Sequence, residues 1–243
     1  MKGRTWQDFQ RRHFDEGLPA YEGLYGGDSP FHRAMARRVL AHAGVRAGME
    51  VLDVGCGLGR LTLPLLAAGC RVTGLDISGP TLSRLRARVG DAGMADRFAP
   101  IEGSVESLDL RGRFDLVTGR GVMHHIKEPA AVLRRVHRAL KPDGRAVFVD
   151  PNPLQPAWGL LVLLHPALSI KAERYLWRGT PSALRKLLLA AGFGRVAVCF
   201  MGMVPPPLWG AGAAADSAED VLEKLPAIRC LGLYVVVSGC RSG

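Results

Sequence analysis

Between residues 49 and 150, two rhythms of apolar and polar positions take turns along the chain. Short apolar runs at 51–54, 71–76, 98–102, 114–118 and 145–149 predict strands. Segments with helical spacing at 61–68, 80–88 and 130–140 predict helices, the first closed by Gly69. Strands joined through single helices imply a parallel sheet, because each parallel crossover needs a connecting element. Upstream, Asp28-Ser29-Pro30 reads as the start of a helix reaching residue 43 and stopping at Gly44. Residues 1–31 carry six of the sixteen aromatic residues without a clean period, which predicts short helical pieces packed on the main body. Downstream, residues 151–179 form an apolar insertion containing Trp158. A helix over 182–191 ends at Gly192, and 195–200 and 231–238 read as strands. Between those strands lie Pro205-Pro206-Pro207 and a short helix that Ser217 opens, with Asp220 three residues on. With no internal repeat or linker, the chain reads as a single α/β domain over residues 1–243.

Composition changes this picture little. Apolar residues at 48% and charged residues at 22% are those of an ordinary globular domain. The formal net charge of +10 is dispersed along the chain, so no specific nucleic-acid partner is expected. The stretch between Glu173 and Asp216 lacks acids but holds Arg174, Arg178, Arg185, Lys186 and Arg195. It is either a solvated basic face or an attractor for an anionic substrate. Absence of an apolar transmembrane run and of a signal-peptide core predicts a cytoplasmic protein. The five cysteines, at unrelated spacings, read as reduced thiols, and no metal motif is present.

The chemistry concentrates at Asp53-Val54-Gly55-Cys56-Gly57-Leu58-Gly59, where a predicted strand turns into a helix. Glycines there allow positive φ and a close approach of ligand to backbone. The dinucleotide pattern G-x-G-x-x-G needs a small residue at position 60, which is Arg60; the observed order is acid-x-G-x-G-x-G. Asp76 ends the second strand, where a carboxylate can accept from both hydroxyls of a ribose; Ser78 is available to cap the next helix.

Residues 51–62 (Val-Leu-Asp-Val-Gly-Cys-Gly-Leu-Gly-Arg-Leu-Thr) resemble the first motif of class I S-adenosylmethionine (SAM)-dependent methyltransferases of the small-molecule type. Residues 72–78 resemble their second motif, and Gly103-Ser104-Val105 sits where the adenine contact falls. Residues 114–126 and 138–144 are similar to the fourth-strand motif and the Leu-Lys-Pro-Gly-Gly turn. Two departures stand out: Ser104 replaces the usual acid, and Asp143 replaces a turn glycine. The resemblance implies a doubly wound, mostly parallel, seven-stranded Rossmann-like sheet with helices on both faces. It implies SAM as cofactor, bound by Asp53, Gly55, Cys56, Gly57, Gly59, Asp76, Ile77, Ser104, Val105, Arg120 and Gly121. On it, residues 1–45 become a helical lid, 46–150 the SAM-binding core, and 151–243 substrate-side insertions with the last strands.

His124 and His125, at the end of the fourth strand, are the candidates for a general base, with pocket lining as the alternative. Asp150-Pro151-Asn152-Pro153 reads as a chain-turning loop: it follows strand five and lacks the aromatic of the amine-binding Asp-Pro-Pro-Tyr motif. The aromatic N-terminus, residues 154–170 and the loop around Trp209 either roof an apolar acceptor pocket or cover the core, or form a homodimer surface. With Arg174 and Arg178 nearby, they suit a lipophilic or aromatic acceptor bearing an acidic group. The expected reaction is methyl transfer to an oxygen, carbon or nitrogen of a small molecule. The alternatives are a nucleic-acid methyltransferase, a SAM-binding partner without catalysis, and an enzyme of this fold that transfers no methyl group.

Overall fold

The computed structural model describes residues 5–25, 28–156, 158, 160, 163, 171–226 and 228–242, so most of the apolar insertion at 154–170 lies outside the described residues. A seven-stranded sheet has the order β3-β2-β1-β4-β5-β7-β6. Its strands are β1 (Glu50–Val54), β2 (Arg71–Asp76), β3 (Phe98–Glu102), β4 (Phe114–Arg120), β5 (Leu140–Pro151), β6 (Phe193–Met201) and β7 (Tyr234–Arg241). The first five pair in parallel, while β7 runs antiparallel between β5 and β6. The expected mostly parallel Rossmann-like sheet is what forms.

The helices are α1 (Trp6–Tyr25), α2 (Pro30–Ala43), α3 (Thr62–Ala67), α4 (Gly79–Asp91), α5 (Pro129–Ala139), α6 (Pro181–Ala190) and α7 (Ala213–Leu222). Their boundaries follow local chemistry. The Ser29 and Ser78 hydroxyls accept from the His32 and Thr81 N–H groups as N-caps, each with a proline in the first turn. Gly44 closes α2 in the left-handed conformation, φ 66°.

Neighbouring residues of one strand enter different cores, as a sheet covered on both faces requires. Val51, Val147 and Val149 pack with Met35 and Val39 of α2, Leu65 of α3 and Leu85 of α4. Leu52, Ala146 and Phe148 pack with Val132, Leu133 and Val136 of α5 and Leu188 of α6.

Two expectations are corrected. Phe31 lies in α2, and the other five N-terminal aromatics belong to one continuous helix, α1, rather than to short pieces. Its Trp6, Gln10, Phe14 and Tyr21 recur at helical spacing, but they line a cavity instead of a dry core, so their polarity is mixed and the period is obscured in the sequence. Helix α7 begins at Ala213, so Ser217 is interior; the anchor is Glu219, fully buried, whose carboxylate accepts from the Gly202, Met203 and Val204 N–H groups at 2.6–2.9 Å. No helix among the described residues is long and apolar enough to cross a membrane.

Candidate active site

From β1 the chain winds to β2 and β3 on one side and returns to β4 on the other, leaving a topological switch between β1 and β4. Ligands of open parallel sheets bind at the carboxyl ends of the strands beside such a switch. There a cavity of about 250 Å³ opens over the ends of β1, β2, β4 and β5 and beneath α1.

At the β1–β2 end the backbone does most of the shaping. Gly55, Gly57 and Gly59 have φ of 63°, 50° and 88°, conformations that side chains rarely adopt. The Gly55 and Cys56 N–H groups donate to the Leu75 carbonyl (2.7 and 3.1 Å), and the Gly57 N–H donates to Asp76 Oδ2 (2.8 Å). Asp76 Oδ1 accepts from the Ser78 N–H (2.9 Å), so Asp76 braces the loop while Ser78 caps α4. A Cβ on Gly57 would meet only Gly55 O, at 3.9 Å, whereas one on Gly59 would strike Leu85 at 2.4 Å. Gly59 is the one predicted site residue outside the cavity lining; it serves the packing of the loop on α4. Burial raises the Cys56 thiol well above its ordinary value, so it lines the cavity as a neutral group.

Asp53 is buried, accepts from the Thr62 hydroxyl (2.6 Å), and has no salt-bridge partner among the described residues. Burial pushes its pKa up to about 7, against the pull of Thr62. Ser104 caps a short turn by accepting from the Glu106 N–H (3.2 Å), and Glu106 accepts from Gln7 of α1. Ile77 and Val105 supply apolar walls beside it. Across the cavity, Arg120 stacks on Tyr234 (4.8 Å to the ring) and donates to its hydroxyl (3.0 Å). Its Nη1 is buried with no partner among the described residues. Gly121 turns the chain out of β4, its N–H donating to the Val149 carbonyl (2.7 Å).

The β4–β5 end is made of side chains. Both ring nitrogens of His124 face carboxylates, Nδ1 with Asp150 Oδ1 at 2.6 Å and Nε2 with Glu173 Oε2 at 3.1 Å. Burial alone would lower the His124 pKa, but Glu173 and Asp150 outweigh it and hold it at about 10. The ring is therefore an imidazolium at neutral pH, with no lone pair to take another proton. His125, whose ring lies 4.0 Å from that of His124, is driven the other way, down to about 4, by burial and then by its charged neighbour. Glu173 Oε1 stands 4.0 Å from His125 Nε2, and His125 Nδ1 has no partner among the described residues. With the proton on the nitrogen facing Glu173, the lone pair sits on Nδ1. Atoms of His124, His125 and Glu173 lie within 4.8 Å of one another, close enough to ligate a metal. The His124–Glu173 contact, however, is a hydrogen bond whose proton a metal would have to displace.

Several expectations change here. Asp150-Pro151-Asn152-Pro153 does more than turn the chain: Asp150 holds His124, and buried Asn152 donates to the Cys230 and Gly232 carbonyls (2.7 and 2.8 Å). Arg174 and Arg178 do not line this cavity; their guanidinium groups stack on Trp6 (3.9 Å) and Tyr175 (4.3 Å). Trp209 is core, packed on Phe31 and donating to the Val204 carbonyl (3.0 Å), whereas Trp158 does reach the cavity wall. Glu173 and Gln10 were not singled out from the sequence. For Gln10 the helical spacing with Trp6 and Phe14 was the available signal; for Glu173 it was an isolated acid after an apolar stretch.

Residues 30–198 match the family profile described as a methyltransferase domain. The chain belongs to this family. Among similar proteins, a ubiquinone biosynthesis O-methyltransferase of Pseudomonas aeruginosa is 34% identical over 109 residues, 44% of this chain and 47% of that one. The match thus spans about half the length of that curated relative. Phosphoethanolamine N-methyltransferase 2 of Haemonchus contortus, solved with phosphomonomethylethanolamine and S-adenosylhomocysteine, superposes with a TM-score of 0.71 at 21% identity, covering 98% of this chain and 60% of that one. The [4+2]-cyclase SpnF superposes with a TM-score of 0.67 at 17% identity, covering 98% and 97%. These two likenesses establish the shared fold of the methyltransferase domain, on which more than one reaction is built.

Proposed function

We propose that this chain transfers the methyl group of SAM to an oxygen of a small, lipophilic or aromatic acceptor. One observation carries the reading: the glycine loop with Asp76 and the neutral His125 open onto the same cavity, and its walls include Trp6 and Phe14 against His125, and Trp158 and Tyr234.

The donors fit SAM. Asp76 would receive the ribose hydroxyls on lone pairs not used by the Gly57 and Ser78 N–H groups. Asp53, buried without a cation, suits the methionyl ammonium, whose charge would return it to the ionised form. The unpartnered Nη1 of Arg120 suits the carboxylate. Ile77 and Val105 would flank adenine, with Ser104 at its edge. SAM supplies an activated methyl whose departure leaves a neutral thioether, so the protein has mainly to align the acceptor and exclude water.

Of the two histidines, only His125 has a lone pair for an acceptor hydroxyl. His124 acts through it, as a fixed cation that holds Glu173 and orients the neighbouring ring. A base with so low a pKa is weak, so its contribution is alignment of the hydroxyl and transient acceptance of its proton. The name of the ubiquinone-pathway relative supports oxygen over carbon or nitrogen as the methylated atom. The direct test offers isotopically labelled SAM with phenolic, quinol and polyketide fractions and identifies the labelled product by mass spectrometry. Label on an oxygen of an apolar aromatic is the expected result; label only in nucleic acid, or SAM bound without any product, overturns the reading.

A further inference from the structure

Gln10 lies in α1 with 4% of its surface exposed, and both its Nε2 and its Oε1 are buried without a partner among the described residues. A primary amide buried without partners is costly, and interiors rarely tolerate it. The side chain lines the cavity. One helical turn before it, Trp6 donates to the His125 carbonyl (2.8 Å); one turn after it, the Phe14 ring meets the His125 ring edge-on at 5.2 Å. Gln10 is therefore fixed on the helix face that packs over His125. Its neighbour Gln7 is engaged with Glu106, beside the Ser104 turn. The helix thus carries two amides, one committed to the β1–β2 end and one unsatisfied at the His125 end.

We propose that Gln10 determines acceptor specificity: its amide reads an edge on the acceptor that presents one hydrogen-bond acceptor and one donor side by side, as a carboxamide, a lactam or a hydroxy-carbonyl does. This rests on the methyl-transfer reading above and narrows it. The geometry is that of an amide fork, in which Nε2 donates to the ligand's oxygen while Oε1 accepts from its O–H or N–H. A site built to satisfy such a group discriminates strongly against an isostere lacking it, because the buried amide is then left unpaired.

The test uses the full chain saturated with S-adenosylhomocysteine and two probes of similar size, salicylamide and 2-ethylphenol, with binding followed by calorimetry. Wild type is expected to favour salicylamide by about tenfold or more. Gln10→Leu is expected to bring the two probes within about twofold of each other while leaving S-adenosylhomocysteine affinity unchanged within about twofold. Gln10→Glu, which keeps shape but loses the donor, is expected to lose salicylamide binding as well; its melting curve, read beside that of Gln10→Leu, reports folding. An unchanged preference in Gln10→Leu overturns the proposal, as does wild type that binds S-adenosylhomocysteine but neither probe. A Gln10→Leu loss of S-adenosylhomocysteine affinity in a folded protein also overturns it, by moving Gln10 to the cofactor. Wild type that ignores S-adenosylhomocysteine altogether sinks the methyl-transfer reading itself.

Discussion

At the β1–β2 end of the cavity, nearly every shaping group comes from residues 53–78, and most of the work is done by backbone: positive-φ glycines, N–H groups bonded to Leu75 and Asp76, and a serine cap. At the β4–β5 end, the histidine–carboxylate cluster comes from positions 124–125, 150 and 173, and side chains dominate: one imidazolium, two carboxylates and a neutral ring. The first end is a local turn that presents a surface to a ligand. The second is a buried ionic cluster whose members hold one another in place. Substitutions at the two ends should therefore fail differently, one in binding and the other in folding.

The largest effect is expected at the ionic cluster. His124→Leu strands the Asp150 and Glu173 carboxylates in the interior without their cation, which typically costs about 3–5 kcal/mol of stability. Thermal unfolding should show it as a large drop in Tm. Changing all three together, Asp150→Asn and Glu173→Gln with His124→Gln, should recover most of that loss, because no uncompensated charge remains. A single His124→Leu variant as stable as wild type would show that the cluster is not a structural unit.

Next comes Gly57→Val. The protein leaves room for a Cβ there, so the fold should survive, yet the side chain would stand in the cavity and the φ of 50° would be strained. Those two penalties together predict about hundredfold weaker SAM binding by calorimetry. Gly59→Val, by contrast, should unfold the loop against Leu85. Equal behaviour of the two variants would erase the distinction between a ligand-facing and a packing glycine.

This contrast also explains what the sequence disclosed. The β1–β2 end was legible because its signal is contiguous: glycines at fixed spacing after an apolar run, then an acid closing the next strand. The parallel pairing of the first five strands followed from the same alternation. Glu173 was hidden because its partners, His124 and His125, lie about 50 residues away in the chain, and nothing local marks an acid as buried. Asp150 was read as part of a turn because proline follows it, although β5 continues through Pro151. Gly59 stands outside the cavity lining and against Leu85, a packing position that its place in the motif does not announce. Between the paired histidines, the carboxylates around His124 separate a fixed cation from a neutral ring.

A smaller effect is expected for Asp76→Ala. Loss of charge-assisted hydrogen bonds to ribose should weaken SAM by about 1–3 kcal/mol, while Ser78 still caps α4. Unchanged calorimetric affinity would refute the ribose assignment.

The subtlest difference between the two histidines lies in how pH acts on them. The His124 pKa is raised from 6.5 to about 10, so the folded state binds its proton more tightly than the unfolded chain does. Its contribution is complete below pH 6.5 and fades as pH rises through about 10. The His125 pKa is lowered from 6.5 to about 4, so between those values the unfolded chain takes up a proton that the fold refuses, and acid destabilises. The two slopes oppose each other on either side of pH 6.5. In denaturant melts across pH 4–10, His125→Gln should flatten the acid side and leave the alkaline side, while the triple neutral variant should flatten the alkaline side. Catalysis offers the sharper reading: with His125 already neutral, kcat/KM should show no enzymic acid limb near pH 6.5. A limb there that disappears in His125→Gln would mean that His125 titrates normally in the working enzyme, and that His124 does not hold its charge beside it.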